Sequence, residues 1–122
     1  MPIPKDYKDI VTALFEKTNA GRVNWKNSRF GIEVKVDKSK FKLWSGTDEN
    51  TDEAFVAFAL NDLNGSTMDS WYVDEGDADY DQMTLLFSAA KRYANGVPQR
   101  LSELKNVILK LDFLGESEDD EL

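Results

Sequence analysis

The sequence predicts an α+β domain: an N-terminal helix, an antiparallel meander sheet of about five strands, and two C-terminal helices packed on one sheet face. Three observations carry this. Apolar residues recur with helical spacing up to about residue 20, alternate through the middle, and return to helical spacing after Gly76. Asn64-Gly65, a strong hairpin signal, separates two apolar runs. Gly and Pro stand where helices should stop and start.

The first helix is predicted over about 5–20. Tyr7, Ile10, Val11, Leu14, Phe15 and Thr18 share one face, Pro4 suits the first turn, and Gly21 is placed to end it. Three half-buried strands should follow. Val23 and Trp25 mark the first; Phe30, Ile32, Val34 and Val36 the second; Phe41 and Leu43 the third. The second and third are joined by a turn at Asp37-Lys38-Ser39.

The run Ala54–Leu60 is apolar at every position, as in a strand covered on both sides or central in the sheet. If Asn64-Gly65 alone forms the turn, Leu63 pairs with Ser66. Phe58 then lies opposite Trp71, Val56 opposite Val73 and Ala57 opposite Tyr72. Tyr80, Met83, Phe87, Ala90 and Ala94 stripe a second helix, with Asp79 and Gln82 at capping-box spacing. Gly96 ends it and Pro98 begins a third, whose Leu101, Leu104, Ile108 and Leu111 should dock on the domain's own core rather than form a dimer seam. Residues 1–115 make one domain. Residues 116–122 hold five acids in seven positions and read as a solvated, flexible tail.

Composition bounds the chemistry. The 122 residues carry no His and no Cys, so triads built on His, His/Cys zinc sites and disulfides are excluded. The expectation is a protein that is not an enzyme and has no cofactor. The longest uncharged apolar run has seven residues, against about 20 for a membrane span. The first residues lack the apolar stretch of a signal peptide, so a soluble, cytoplasmic protein is expected.

Charge is split along the chain. Residues 1–44 carry ten Lys/Arg against five Asp/Glu, whereas the remainder carries five against eighteen; the whole chain is at −8. Such a split favours two opposed electrostatic surfaces that steer partners. The acidic candidates are Asp74, Glu75, Asp77, Asp79 and Asp81. Asp77, Asp79 and Asp81 begin like a calcium loop. Gln82, Thr84 and Ser88 then stand where that loop needs Gly, an apolar residue and Glu, so the better reading is acids favoured by a helix N-terminus.

The basic candidates are Arg29, Lys35, Lys38, Lys40 and Lys42, with Trp44 among them. Basic and aromatic strands bind single-stranded nucleic acid by stacking and phosphate neutralisation. Against this, Lys35 alternates with Glu33 and Asp37, and lysines on an edge strand also protect against aggregation. Trp44 is out of phase with Phe41 and Leu43 and should point to the polar face, either as a half-buried sheet aromatic or as a ligand platform.

Leu14-Phe15-Glu16-Lys17-Thr18, Gly21 and Trp25, with the later segment from Tyr80 to Arg92 ending in Ala89-Ala90-Lys91-Arg92, resemble a group of small bacterial and phage-type domains of uncharacterised function. The resemblance implies a small accessory protein and carries over no catalytic residue. The expected function is a non-catalytic interaction protein of inhibitor, immunity or adaptor type, whose acidic surface meets a basic protein partner. The alternative is single-stranded nucleic-acid binding through hairpin 22–44.

Overall fold

A computed structural model describes residues 2–115. The tail at 116–122 lies outside the described residues. After a single 3-10 turn at Lys5–Tyr7, helix α1 (Lys8–Asn19) leads into strands β1 (Lys26–Ser28), β2 (Gly31–Val36), β3 (Ser39–Thr47), β4 (Ala54–Asp62) and β5 (Thr67–Asp74). Helices α2 (Tyr80–Ala94) and α3 (Val97–Lys110) close the chain. The five strands pair antiparallel in chain order, the expected meander.

Strand alternation builds the core. Ile32, Val34, Leu43, Val56, Phe58, Trp71 and Val73 share the face that meets Val11 and Leu14 of α1 and Met83, Leu86 and Ala90 of α2. Phe58 sits at the centre. Its ring stacks on Trp71 at 5.0 Å and meets Phe41 at 5.2 Å and Tyr7 at 5.5 Å. No helix among the described residues is long and apolar enough to cross a membrane.

Thr18, Gly21 and Trp25 have architectural roles. The buried Trp25 indole N–H donates to the buried Thr18 hydroxyl at 2.8 Å, tying the end of α1 to the start of the sheet. The Gly21 N–H donates to the Thr18 carbonyl. The first strand is displaced relative to expectation. Trp25 is held by α1, so ladder pairing begins one residue later, at Lys26 opposite Glu33.

The β4–β5 hairpin has the expected pairs and a different turn. Phe58 faces Trp71, Val56 faces Val73 and Ala57 faces Tyr72. The loop, however, is Leu63-Asn64-Gly65, closed between Asp62 and Ser66. Asp62 Oδ1 accepts the N–H groups of both Asn64 and Ser66, and Gly65 takes φ +89, which a side chain would resist. That extra loop residue shifts Asn61 opposite Thr67. A bulge at Met68 restores the offset before Leu60 meets Asp69.

Two further expectations change. Asp79 precedes α2 but makes no capping bond; its Oδ2 instead accepts the Ile3 N–H at 2.8 Å. Helix α3 does not dock on the core. It has no buried residue, and among the strands and helices its substantial contact is with α2 alone. Gly96, at φ 70, ends α2 and turns the chain after a link of two residues, which carries α3 away from the sheet.

Tyr7 supplies a titratable marker of the fold. Its hydroxyl donates to Asp69 Oδ2 at 2.9 Å, and burial, reinforced by that carboxylate, raises its pKa to about 12. The folded state therefore keeps a proton that the unfolded chain releases near pH 10. The contribution is intact below pH 10 and is lost as pH rises toward 12. Tyr7→Phe should flatten that part of the stability-versus-pH curve, measured by urea unfolding between those values. An unchanged fall in the variant would refute the assignment.

Candidate functional site on the open sheet face

The helices cover one sheet face. Residues in the opposite phase form the other: Lys26, Glu33 and Lys35 on β1–β2; Lys40, Lys42, Trp44 and Gly46 on β3; Phe55, Ala57, Ala59 and Asn61 on β4; Ser70 and Tyr72 on β5. This face is neither uniformly wet nor uniformly basic. It holds an aromatic cluster in its middle.

Trp44, Ala57 and Tyr72 lie in one row across three strands. Adjacent strands are about 4.8 Å apart, so Trp44 and Tyr72 rise about 10 Å from each other across a floor made of one methyl group. The result is a slot, part of a depression of about 440 Å³ lined by Trp44, Asp48, Phe55, Ala57, Ser70 and Tyr72. Phe55 meets Tyr72 edge-on at 6.0 Å. Its ring lies over Gly46, where a Cβ would come within 2.9 Å of it. These rings shelter Ala57, only 4% exposed on a face with no helix over it.

Trp44 also borders a second depression, of about 340 Å³, with Arg29, Phe30, Lys42, Ala59 and Asn61. Asn61 is 4% exposed, and its Oδ1 is buried with no hydrogen-bond partner. An unpaired buried amide oxygen is costly. It sits at the β4–β5 register shift, the kind of place where bulges re-aim side chains.

The sequence-derived basic candidates are divided by this geometry. Arg29, Lys42 and Trp44 converge on the second depression. Lys35 and Lys40 lie further along, beside Lys26 and Glu33, and the Lys40 ammonium pairs with Glu33 Oε2 at 3.2 Å. Lys38 stands apart in the β2–β3 turn, exposed next to Asp37, which adopts φ 55.

The acidic candidates gather in the β5–α2 connection, where several act on backbone. Glu75 Oε1 accepts the Ala54 N–H at 3.0 Å. Asp77 Oδ2 accepts the Asp74 N–H at 3.0 Å. Asp79 holds Ile3, as described, while Asp81 is exposed in the first turn of α2. Two of these acids thus fasten the β4–β5 end and a third anchors the N-terminal segment.

A second acidic loop, Asp48, Glu49, Asp52 and Glu53, joins β3 to β4 at the same end of the sheet. Asp48 itself lines the slot. Sequence reasoning singled out Trp44 and missed Asp48, Phe55, Asn61 and Tyr72. The signal was present: the predicted pairing of Ala57 with Tyr72, combined with an outward Trp44, already implies two aromatic walls and a small floor. No protein family, curated protein or solved structure matches the chain significantly.

Proposed function

We propose that this chain is a non-catalytic interaction protein whose open sheet face receives a basic segment of a protein partner. One observation carries the reading: the Trp44–Tyr72 slot has a carboxylate, Asp48, in its wall and acidic loops at its end. A cation over an aromatic face gains about 0.5–2 kcal/mol, and a guanidinium stacks on such rings while donating to a carboxylate. The partner's lysine or arginine side chain enters the slot, and the acidic end of the sheet steers the approach. The resemblance to small bacterial and phage-type domains is in keeping with a cytoplasmic accessory protein of this kind.

A second reading has its own observation. Arg29, Lys42 and Trp44 line one depression, an arrangement suited to a stacked base and a neighbouring phosphate. Asp48 in the wall of the neighbouring slot, the Lys40–Glu33 pair and the net charge of −8 favour the first reading.

The test uses a hexa-arginine peptide and a short oligothymidine as probes, each titrated by calorimetry at two salt concentrations. The peptide should bind, and Trp44→Ala or Asp48→Asn should each weaken it about tenfold, a loss of about 1.4 kcal/mol. Reversing charge at Lys38, Lys40 and Lys42 should leave folding intact and peptide affinity undiminished. Salt-steep oligothymidine binding abolished by that triple change, with no peptide binding, would replace the first reading by the second.

A further inference from the structure

The slot on the open sheet face is closed on three sides. Trp44 and Tyr72 flank Ala57, and Phe55, two residues before Ala57 on the same face of β4, stands across one end. Phe55 meets Tyr72 edge-on, whereas Trp44 makes no ring contact with either among the described residues, so the space between Trp44 and Tyr72 is open. Asp48 stands in the wall, and its carboxylate is held in place, with Oδ1 accepting the Asn50 N–H at 2.8 Å. Lys42 lies in the next row of the open face, with Ala59 and Ser70, and repels a cation from that end. A positive charge is therefore favoured among the rings, toward Asp48.

Two properties of this box decide which cation fits. The first is width. The flanking rings rise about 10 Å apart, two strand spacings. A guanidinium is flat and packs at about 3.5–4.0 Å from a ring, so it touches one wall and leaves a gap at the other. A quaternary nitrogen placed midway is about 5 Å from each wall, within the reach of about 6 Å for a cation–π contact. Its methyl carbons, one C–N bond of about 1.5 Å further out, come to about 3.5 Å from both walls. The second property is polarity. A lysine ammonium carries three N–H donors and a guanidinium five. Ring faces and a methyl floor accept none of them, and side-chain acceptors are confined to Asp48, Ser70 and the Tyr72 hydroxyl. A buried donor without a partner is costly. Methylation of the ammonium removes the donors, keeps the charge and adds apolar surface.

We infer that the slot is a cage for a trimethylated lysine side chain in the partner's basic segment. The inference rests on the function proposed above, that a basic side chain enters this slot, and adds which form of that side chain is selected. The rings hold the methyl groups, and Asp48 supplies the countercharge without needing a hydrogen bond.

The experiment is calorimetric titration of the full chain with a short alanine–glycine peptide bearing one central lysine. The peptide is made in four forms: unmodified, trimethylated, with arginine in place of the lysine, and with the neutral tert-butyl isostere of trimethyl-lysine. The trimethylated form should bind about tenfold tighter than the unmodified and arginine forms, and the neutral isostere should lose most of that gain. Tyr72→Leu changes a position that is 44% exposed, so circular dichroism should remain that of the folded domain. It should reduce the preference for the methylated form to about threefold or less. Asp48→Asn should weaken all the charged forms alike and leave the preference in place. Equal affinity for the unmodified, arginine and trimethylated forms would overturn the inference and leave the proposed function standing. A preference that survives both Trp44→Ala and Tyr72→Leu would place the methylated group outside the box and overturn it as well. Choline chloride binding as tightly as the trimethylated peptide would overturn the side-chain assignment, because the ligand would then be a free quaternary ammonium. Binding of no form, with hexa-arginine also silent, would overturn this inference and the proposed function together.

Discussion

Phe58→Ala is expected to destabilise the domain by about 3–5 kcal/mol, a large part of the 5–15 kcal/mol typical of a whole domain. The ring is fully buried on β4, stacked on Trp71 of the edge strand β5 and flanked by Tyr7 and Phe41. Its removal leaves a void walled by three other rings, which are too stiff to collapse into it. Part of the loss is also the ring–ring interaction, about 0.5–1.5 kcal/mol for each well-placed pair. Urea unfolding with tryptophan emission reads the change, and Phe58→Leu should recover much of it by refilling the volume. A loss below about 1 kcal/mol for Phe58→Ala would mean that the core is centred elsewhere.

That core pair was legible in the sequence, although the turn that sets it was misread. The pairing of Phe58 with Trp71 follows from a two-residue turn at Asn64-Gly65, yet the loop has three residues and a bulge at Met68 cancels the difference. Burial explains the agreement. A register slip of one would move Phe58, Val56, Trp71 and Val73 to the opposite face, so the hydrophobic pattern fixes the pairing and the turn adapts. Helix periods were legible for the same reason, because each stripe records a face.

What such a stripe meets is not written in it. Leu101, Leu104, Ile108 and Leu111 read as a docking face for the domain's own core, whereas Gly96 carries them away from it. The run Ala54–Leu60 reads as a strand covered on both sides or central in the sheet; β4 lies inside the sheet between β3 and β5, and on its second face the slot's own rings, Trp44, Phe55 and Tyr72, surround the alanine floor. The acidic candidates were found as a cluster, but composition does not reveal that Glu75, Asp77 and Asp79 accept backbone N–H groups.

Gly31→Ala should be the most damaging change that removes no atom from the protein. A Cβ at Gly31 would lie 2.2 Å from the Leu43 carbonyl oxygen and 2.9 Å from Trp44 Cβ. Leu43 is fully buried and paired with Ile32, so its carbonyl cannot retreat without opening the β2–β3 ladder. Forced overpacking of this kind costs about 1–3 kcal/mol, and backbone as the obstacle places the expectation at the upper end. The disturbance should also reach the open face, because Trp44 follows Leu43 directly.

Gly46→Ala provides the control. Its Cβ would meet Phe55 Cζ at 2.9 Å, the far end of a side chain on a partly exposed face, which can swing aside. Stability should hardly change, while Phe55 moves within the slot and hexa-arginine binding weakens. The two alanines therefore separate the strand that supports the slot from the ring that shapes it. Equal stability losses for both would show that the close approach of Gly31 to Leu43 does not constrain the sheet.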